Sequence, residues 1–227
     1  MSAAAIVVAA GAGQRFGNAG KSFALTSGVP MAWWSLAAAA EASSIDEIVL
    51  VCGEHSQVAA RALLDDFCSS KPIRLVLGGE RRQDSALAGI TATSPAIDVV
   101  AIHDAARPLV TAELFERVVK AARDFGAAIV AVPIADTIKR IANDVVRETV
   151  PRHDLVAVQT PQAFRKTLLL DAFASAETSD TTVTDEATLI EWFDHAVHVV
   201  PGRSDNIKVT YPSDLFLAEA LLGARKR

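Results

Sequence analysis

Short apolar runs that alternate with Ala- and Leu-rich segments constrain the fold of this chain more than any other feature. The runs at residues 5–9, 48–51, 73–77, 99–103 and 127–132 have strand length, and their Ile and Val content suits strands buried on both faces. Residues 31–42, 56–67, 83–92 and 111–125 lie between them with the apolar spacing of helices packed on a sheet. The alternation predicts an α/β fold with a mainly parallel sheet and helices on both faces. A chain of 227 residues suits one such domain, residues 1–227, with a small appendage. In open sheets of this kind ligands bind beyond the carboxyl ends of the strands, so chemistry is expected in the residues just after each strand.

The rhythm breaks after Pro133. Residues 136–140 and 145–149, separated by Asn143 and Asp144, predict a polar hairpin. A lone two-stranded hairpin is marginal in water, so this one is expected to pack on something else, as a protruding β-arm at about 136–152 that completes a dimer. Further on, a helix is expected over 166–174. Another should run from Thr184, as N-cap, to 193, with Asp185 and Glu186 in its first turn, followed by a strand at 197–200 and a last helix over 212–222. No internal repeat, low-complexity tract or linker interrupts the chain.

Composition removes several functional classes. Lys and Arg total 22 against 27 Asp and Glu, a net charge of −5 with no basic stripe, whereas a protein held on nucleic acid by phosphate contacts is usually more basic. Cys52 and Cys68 stand without companions, which supports neither a disulfide framework nor a cysteine zinc site and suits a reducing cytoplasm. The apolar start of the chain lacks the positive n-region of a signal peptide, since its first basic residue is Arg15. No apolar window approaches the roughly 20 residues of a membrane-spanning helix.

Chemistry can be argued first at the glycine loop, Gly11-Ala12-Gly13-Gln14-Arg15-Phe16-Gly17, which follows the first run. Glycines there let backbone N–H groups approach an anion closely. The dinucleotide fingerprint would need a small residue where Phe16 stands, and a Walker A loop ending at Gly20-Lys21-Ser22 would need glycine where Arg15 stands. What remains is a glycine loop with its own cations, Arg15 and Lys21, suited to a polyphosphate whose charge is neutralised during reaction. A tight turn with two solvated cations is the plainer alternative.

His103-Asp104-Ala105-Ala106-Arg107-Pro108 ends the fourth run at the same sheet edge. Asp104 is a candidate Mg²⁺ ligand, because Mg²⁺ takes one or two carboxylates together with substrate phosphate oxygens. Arg107 would then hold a phosphate or pair with Asp104, the pair alone being equally compatible with a structural salt bridge. His103 reads as structural, with no second His or Cys at ligand spacing. Asp205-Asn206-Ile207-Lys208-Val209-Thr210 offers a carboxylate and a lysine entering a short β run, where a bend near Asn206 is needed to bring both to one site.

Taken together, AAGAGQRFG followed by Lys21, then GGERRQDS, HDAARP, DTIKR, TPQAF, TDEA and GRSDNIKVT resemble, in this order and over residues 6–222, the 2-C-methyl-D-erythritol 4-phosphate cytidylyltransferase family. The resemblance implies a Rossmann-like nucleotidyltransferase fold and a homodimeric, Mg²⁺-dependent enzyme of non-mevalonate isoprenoid biosynthesis. In it the 4-phosphate of methylerythritol attacks the α-phosphate of CTP, giving 4-diphosphocytidyl-2-C-methyl-D-erythritol and pyrophosphate. By the same resemblance Arg15, Lys21 and Lys208 are catalytic cations, and Asp104 and Asp205 are metal-side carboxylates. Ala9, Ala10, Gly11, Gly79 and Ser85 line the cytidine pocket. Asp104, Ala105 and Arg107 lie near substrate, and Thr137 and Arg152 on the arm reach the acceptor in the other subunit. The family usually places Pro before the loop lysine and Gln after it, whereas Gly20 and Ser22 flank Lys21 here.

The chemistry agrees with these residue types. A phosphate monoester is largely dianionic at neutral pH and needs no general base, whereas cations are needed to offset repulsion between the anions and to stabilise the transition state. Two other readings remain at this stage: a cytidylyltransferase for another polyol phosphate such as ribitol 5-phosphate, and a non-catalytic nucleotide-binding homologue.

Overall fold

The first strand, β1 (Ser2–Ala9), divides its side chains between two cores. Ala3, Ala5, Val7 and Ala9 enter one, Ala4, Ile6 and Val8 the other, as the period of two in a strand requires. The structure is a computed structural model that describes residues 1–11, 16, 20–176 and 185–225. After β1 the chain makes a 3-10 turn at Lys21–Phe23 and a small hairpin of β2 (Leu25–Thr26) and β3 (Val29–Pro30). The alternating elements follow: α1 (Met31–Glu41), β4 (Glu47–Cys52), α2 (Gln57–Asp66), β5 (Ile73–Leu77), α3 (Arg82–Thr91), β6 (Ile97–Asp104), α4 (Ala112–Phe125) and β7 (Ala127–Pro133). The arm is β8 (Ile138–Ala142) and β9 (Val145–Val150), and the chain ends with β10 (Val156–Arg165), α5 (Lys166–Ala176), α6 (Glu186–Trp192), β11 (His198–Pro201) and α7 (Pro212–Arg225).

The main sheet has seven strands in the order β11-β7-β10-β6-β1-β4-β5. β1 pairs in parallel with β4 and β6, β4 with β5, and β7 with β11. β10 alone runs against its neighbours β6 and β7. The fold is therefore α/β and mainly parallel, as the alternation predicts. One core packs α1, α2 and α4 on the sheet through Leu36, Leu63, Phe115 and Val118, and the other packs α3, α5 and α6 through Ile90, Phe173 and Ile190. Burying one such Leu, Ile or Phe contributes roughly 1.5–3 kcal/mol against its exposure in the unfolded chain. Gly89 lets α3 sit close to the sheet, since a Cβ there would come within 2.5 Å of Ile6 Cγ2. No helix among the described residues is long and apolar enough to cross a membrane.

Three features differ from the sequence-based expectations. β10 was not anticipated, because Pro161 and the polar Gln159 and Gln162 break the apolar pattern of a central strand, and the ladder itself shifts register between Gln159 and Gln162. The helix expected from Thr184 is capped instead by Asp185, which accepts a hydrogen bond from Thr188 N at 3.1 Å, and Thr184 lies outside the described residues. The short β run expected after Asp205 is not a strand. Residues 206–210 follow the loop after β6, joined to it where Val209 N donates to Ala106 O at 2.8 Å.

Candidate active site

A cavity of about 750 Å³ opens at the carboxyl ends of β1, β4, β5 and β6. Among the described residues its walls come from Ala10 and Gly11 after β1, Gly53, Glu54 and His55 after β4, Gly78 to Arg82 after β5, and Asp104 and Ala106 around the end of β6. Val8, Phe16, Ser85, Lys21, Ser22, Lys208 and Thr210 also line it. Gly78 keeps one wall flat, because a Cβ there would meet Ser85 Oγ at 2.5 Å and Ala10 Cβ at 2.8 Å.

Asp104 is the centre of charge on the cavity floor. Its Oδ2 accepts from Lys208 Nζ at 2.6 Å, and its Oδ1 accepts from Arg82 Nε at 3.3 Å and Nη2 at 3.2 Å. Burial alone would raise this carboxyl, but Arg82 and Lys208 outweigh it and hold Asp104 well below the usual carboxylate range. Arg82 also turns Nη1 to Glu186, at 2.7 Å and 2.9 Å from the two carboxylate oxygens. Burial works against the Arg82 charge, and its two acidic partners more than restore it. Glu186 is 1% exposed, and burial pushes its carboxyl above the ordinary value although Arg82 pulls the other way. Neighbouring Arg81 diverges toward the rim, where its guanidinium meets Asp84 at 2.7 Å at the start of α3.

The underside of the floor is tied down by β10. Thr160 Oγ1 accepts from Asp104 N at 3.1 Å and bonds His103 Nδ1 at 2.9 Å, while His103 Nε2 lies 3.2 Å from Arg107 O. Nε2 therefore carries the ring proton, donating to that carbonyl, and Nδ1 accepts from the threonine hydroxyl. Burial lowers His103 to about 4, so the ring is neutral near pH 7 and packs against Phe115 beneath the sheet. Asn206, fully buried, donates to Thr160 O at 2.9 Å, and Gln159 Nε2 donates to Arg203 O at 2.9 Å. These bonds fix residues 203–206 so that Lys208 reaches Asp104.

Of the residues singled out in the sequence, the structure gathers Ala10, Gly11, Lys21, Gly79, Ser85, Asp104 and Lys208 around the cavity. Lys21 Nζ also donates to Val209 O at 2.9 Å, linking the loop after β1 to the segment that carries Lys208. Arg15 lies outside the described residues. Ala9 and Ala105 are buried beside the cavity and do not line it, Ala105 N donating to Val8 O at 3.0 Å. Arg107 neither lines the cavity nor forms an ion pair with Asp104. Its guanidinium donates to Asn206 O at 2.9 Å and Val158 O at 3.3 Å, and so braces the floor.

Asp205 is not brought to the cavity. The turn before Asn206 sends its carboxylate to Arg203 and Arg225, at 2.8 Å and 2.7 Å, and hydrogen bonds from Arg203, reinforced by Arg225 against a modest burial, pull it down to about 2. Thr137 and Arg152 are exposed on the arm, where Arg152 donates to Ala135 O. Arg82 and Glu186 stand in the GGERRQDS and TDEA segments, but nothing in the sequence marks either as a site residue. The available signal was a pair of arginines at the start of a helix, and their divergence is set by tertiary contacts alone.

Cations ranged around one carboxylate, at the carboxyl edge of a mainly parallel sheet, are the arrangement that suits a nucleotidyltransferase, where phosphate charge has to be neutralised. The family model for 2-C-methyl-D-erythritol 4-phosphate cytidylyltransferase matches residues 3–224. A 2-C-methyl-D-erythritol 4-phosphate cytidylyltransferase of Bacillus cereus is 41% identical over 224 residues, covering 98% of each chain. The crystal structure of 4-diphosphocytidyl-2C-methyl-D-erythritol synthase from Anaerococcus prevotii superposes with a TM-score of 0.86 at 33% identity, over 98% of each chain. That of the Thermus thermophilus cytidylyltransferase gives 0.78 at 29% identity, over 96% of this chain and 97% of the other. The chain belongs to the 2-C-methyl-D-erythritol 4-phosphate cytidylyltransferase family, and its activity is that of the family.

Proposed function

We propose that the chain transfers CMP from CTP to 2-C-methyl-D-erythritol 4-phosphate with release of pyrophosphate, and that the cavity above Asp104 binds the nucleotide. The observation that carries this is the convergence of Lys21, Arg82 and Lys208 on one cavity whose charged floor is Asp104. Backbone groups at Ala10, Gly11 and Gly79, with Ser85, face the same space and suit a base edge read by hydrogen bonds. The acceptor phosphate attacks as a dianion, and Lys21 and Lys208, with Arg15 from the glycine loop, offset the charge at the α-phosphate.

Mg²⁺ belongs to this reading. Among the described residues no group of three or more His, Cys, Asp or Glu side chains could hold a metal ion by itself. Asp104 Oδ2, which accepts from Lys208 and keeps a second lone pair, would therefore hold it together with phosphate oxygens or water, the ligand set Mg²⁺ accepts, and the ion would supply Lewis-acid charge neutralisation. Asp205, engaged by two arginines, would join only after giving up those contacts.

The arm is assigned to a homodimer. A two-stranded hairpin does not sustain itself, and Ile141, Val145 and Val146 are 61%, 57% and 55% exposed within one chain, so a second copy of the arm is the fitting cover. Thr137 and Arg152 would then reach the acceptor phosphate of the neighbouring site. A reducing, cytoplasmic setting fits two cysteines that are both free.

The test is pyrophosphate release with CTP or UTP and with methylerythritol phosphate or ribitol 5-phosphate. Turnover that needs both CTP and methylerythritol phosphate is expected. Equal turnover of CTP and UTP would remove the base-reading role of the cavity wall, and preference for ribitol 5-phosphate would remove the acceptor.

A further inference from the structure

Glu186 is a carboxylate buried behind the cavity wall that touches no cavity space of its own. Its side chain is fixed from two directions. Asp185, which caps α6, accepts from Gln162 Nε2 of β10 at 2.9 Å through one oxygen, and from Thr188 N at 3.1 Å and Thr188 Oγ1 at 2.8 Å through the other. The first turn of α6 is thereby pinned to the sheet, with Glu186 aimed at α3. There both its oxygens lie within 2.9 Å of Arg82 Nη1. The opposite edge of the same guanidinium, Nε and Nη2, meets Asp104 Oδ1.

A buried ion pair of this kind is a poor stability device, since desolvating the charges offsets most of their attraction and a well-packed apolar pair often serves as well. What the arrangement does provide is direction. Arg82 has a long flexible side chain, and with one edge on Asp104 alone it could rotate to take both carboxylate oxygens and displace Lys208 Nζ, which stands 2.6 Å from Oδ2. Glu186 occupies the far edge and leaves Arg82 a single oxygen of Asp104.

We propose that Glu186 is a positioning residue for nucleotidyl transfer, which by holding Nη1 of Arg82 keeps one oxygen of Asp104 for Arg82 and the other for Lys208. The inference rests on the assignment of the cavity to CTP. It divides the floor into cations that face substrate, Arg82 and Lys208, and a carboxylate that acts only through Arg82.

The experiment is a double-mutant cycle with Glu186→Gln and Arg82→Ala, read as kcat/KM per folded chain well below Tm and as the Kd for CTP by titration calorimetry. Glu186→Gln alone should lower kcat/KM about 10-fold to 100-fold, in the range seen when a group supporting a site residue is removed. In the Arg82→Ala background it should change kcat/KM by less than about twofold, because residues acting as one unit are not additive. Equal loss in both backgrounds, or a lowered Tm with unchanged kcat/KM and Kd, would overturn the proposal. Glu186→Asp, which keeps the charge and shortens the reach, enters the same cycle as a second variant. Failure of both variants to fold would assign Glu186 to the stability of α6 and also overturn it. A wild-type chain that does not bind CTP would remove the cavity assignment itself, whereas normal wild-type turnover with an unaffected Glu186→Gln would remove only the positioning role.

Discussion

The cavity floor and the arm are built on opposite terms. On the floor, His103 and Asn206 are fully buried, Asp104 nearly so, and each bonds to groups from distant parts of the chain. On the arm, β8 and β9 pair only with each other and leave Ile141, Val145 and Val146 more than half exposed. The difference teaches where a single chain suffices. Asp104 has cations, its backbone N–H partner and its supporting layer within the one chain, whereas Ile141, Val145 and Val146 stay more than half exposed on it.

If the floor works by fixed charge, Lys208→Ala should give the largest effect. Among the described residues its ammonium is the only group hydrogen-bonded to Asp104 Oδ2, and removing one such electrostatic contact commonly lowers kcat by about 10²-fold to 10³-fold. Steady-state kinetics check this, and an unchanged kcat with a raised KM would shift Lys208 to ground-state binding.

Stability against pH probes the underside of the same floor. His103 titrates near 6.5 in the unfolded chain and is lowered by burial to about 4 in the fold, so between those values the unfolded state binds a proton that the folded state does not. Stability should therefore fall as pH drops from 6.5 toward 4, by roughly 3 kcal/mol in all. Asp104, held down by Arg82 and Lys208, loses its contribution only as pH falls below its ordinary 3.8, so the two windows are separable. Urea unfolding of His103→Gln across this range should show a flatter slope than wild type, and an equal slope would assign the proton taken up on unfolding to another group.

The arm should respond to charge placed on its apolar face. If the arm joins two copies as proposed, Ile141→Asp combined with Val146→Asp should raise the dimer dissociation constant at least about 10-fold, which is about 1.4 kcal/mol, with little change in the Tm of the core. Sedimentation equilibrium measures it, and an unaltered dimer would show that the arm is not the contact.

Much of this was legible in the sequence for a physical reason. β1, β4, β6 and β7 are fully buried over most of their length, so their near-continuous apolar runs announce them, and the residues just after them fall where a parallel sheet binds ligands. β10 was not legible, because its central residues serve the floor. Gln159, Thr160 and Gln162 are buried polar groups that hold Arg203, Asp104 and Asp185, which is the reverse of a strand's apolar signature. Asp205 and Lys208 look like one constellation in sequence, yet the turn before Asn206 sends one to Arg225 and the other to Asp104. Glu186 reads as an ordinary acidic residue at a helix start, and only the approach of α3 gives it Arg82.

The contrast between a floor built within one chain and an arm proposed to pair with a second is tested most directly by mixing two inactive variants. A Lys208→Ala chain lacks a floor cation and an Arg152→Ala chain lacks the arm's arginine, so a heterodimer holds one site with both intact. After subunit exchange at equal ratio, with exchange verified by mass-labelled chains, about a quarter of wild-type activity should return, since half the dimers are mixed and each has one complete site of two. If the exchanged mixture stays at the level of the separate variants, each site is made within a single chain and the account of the arm is wrong.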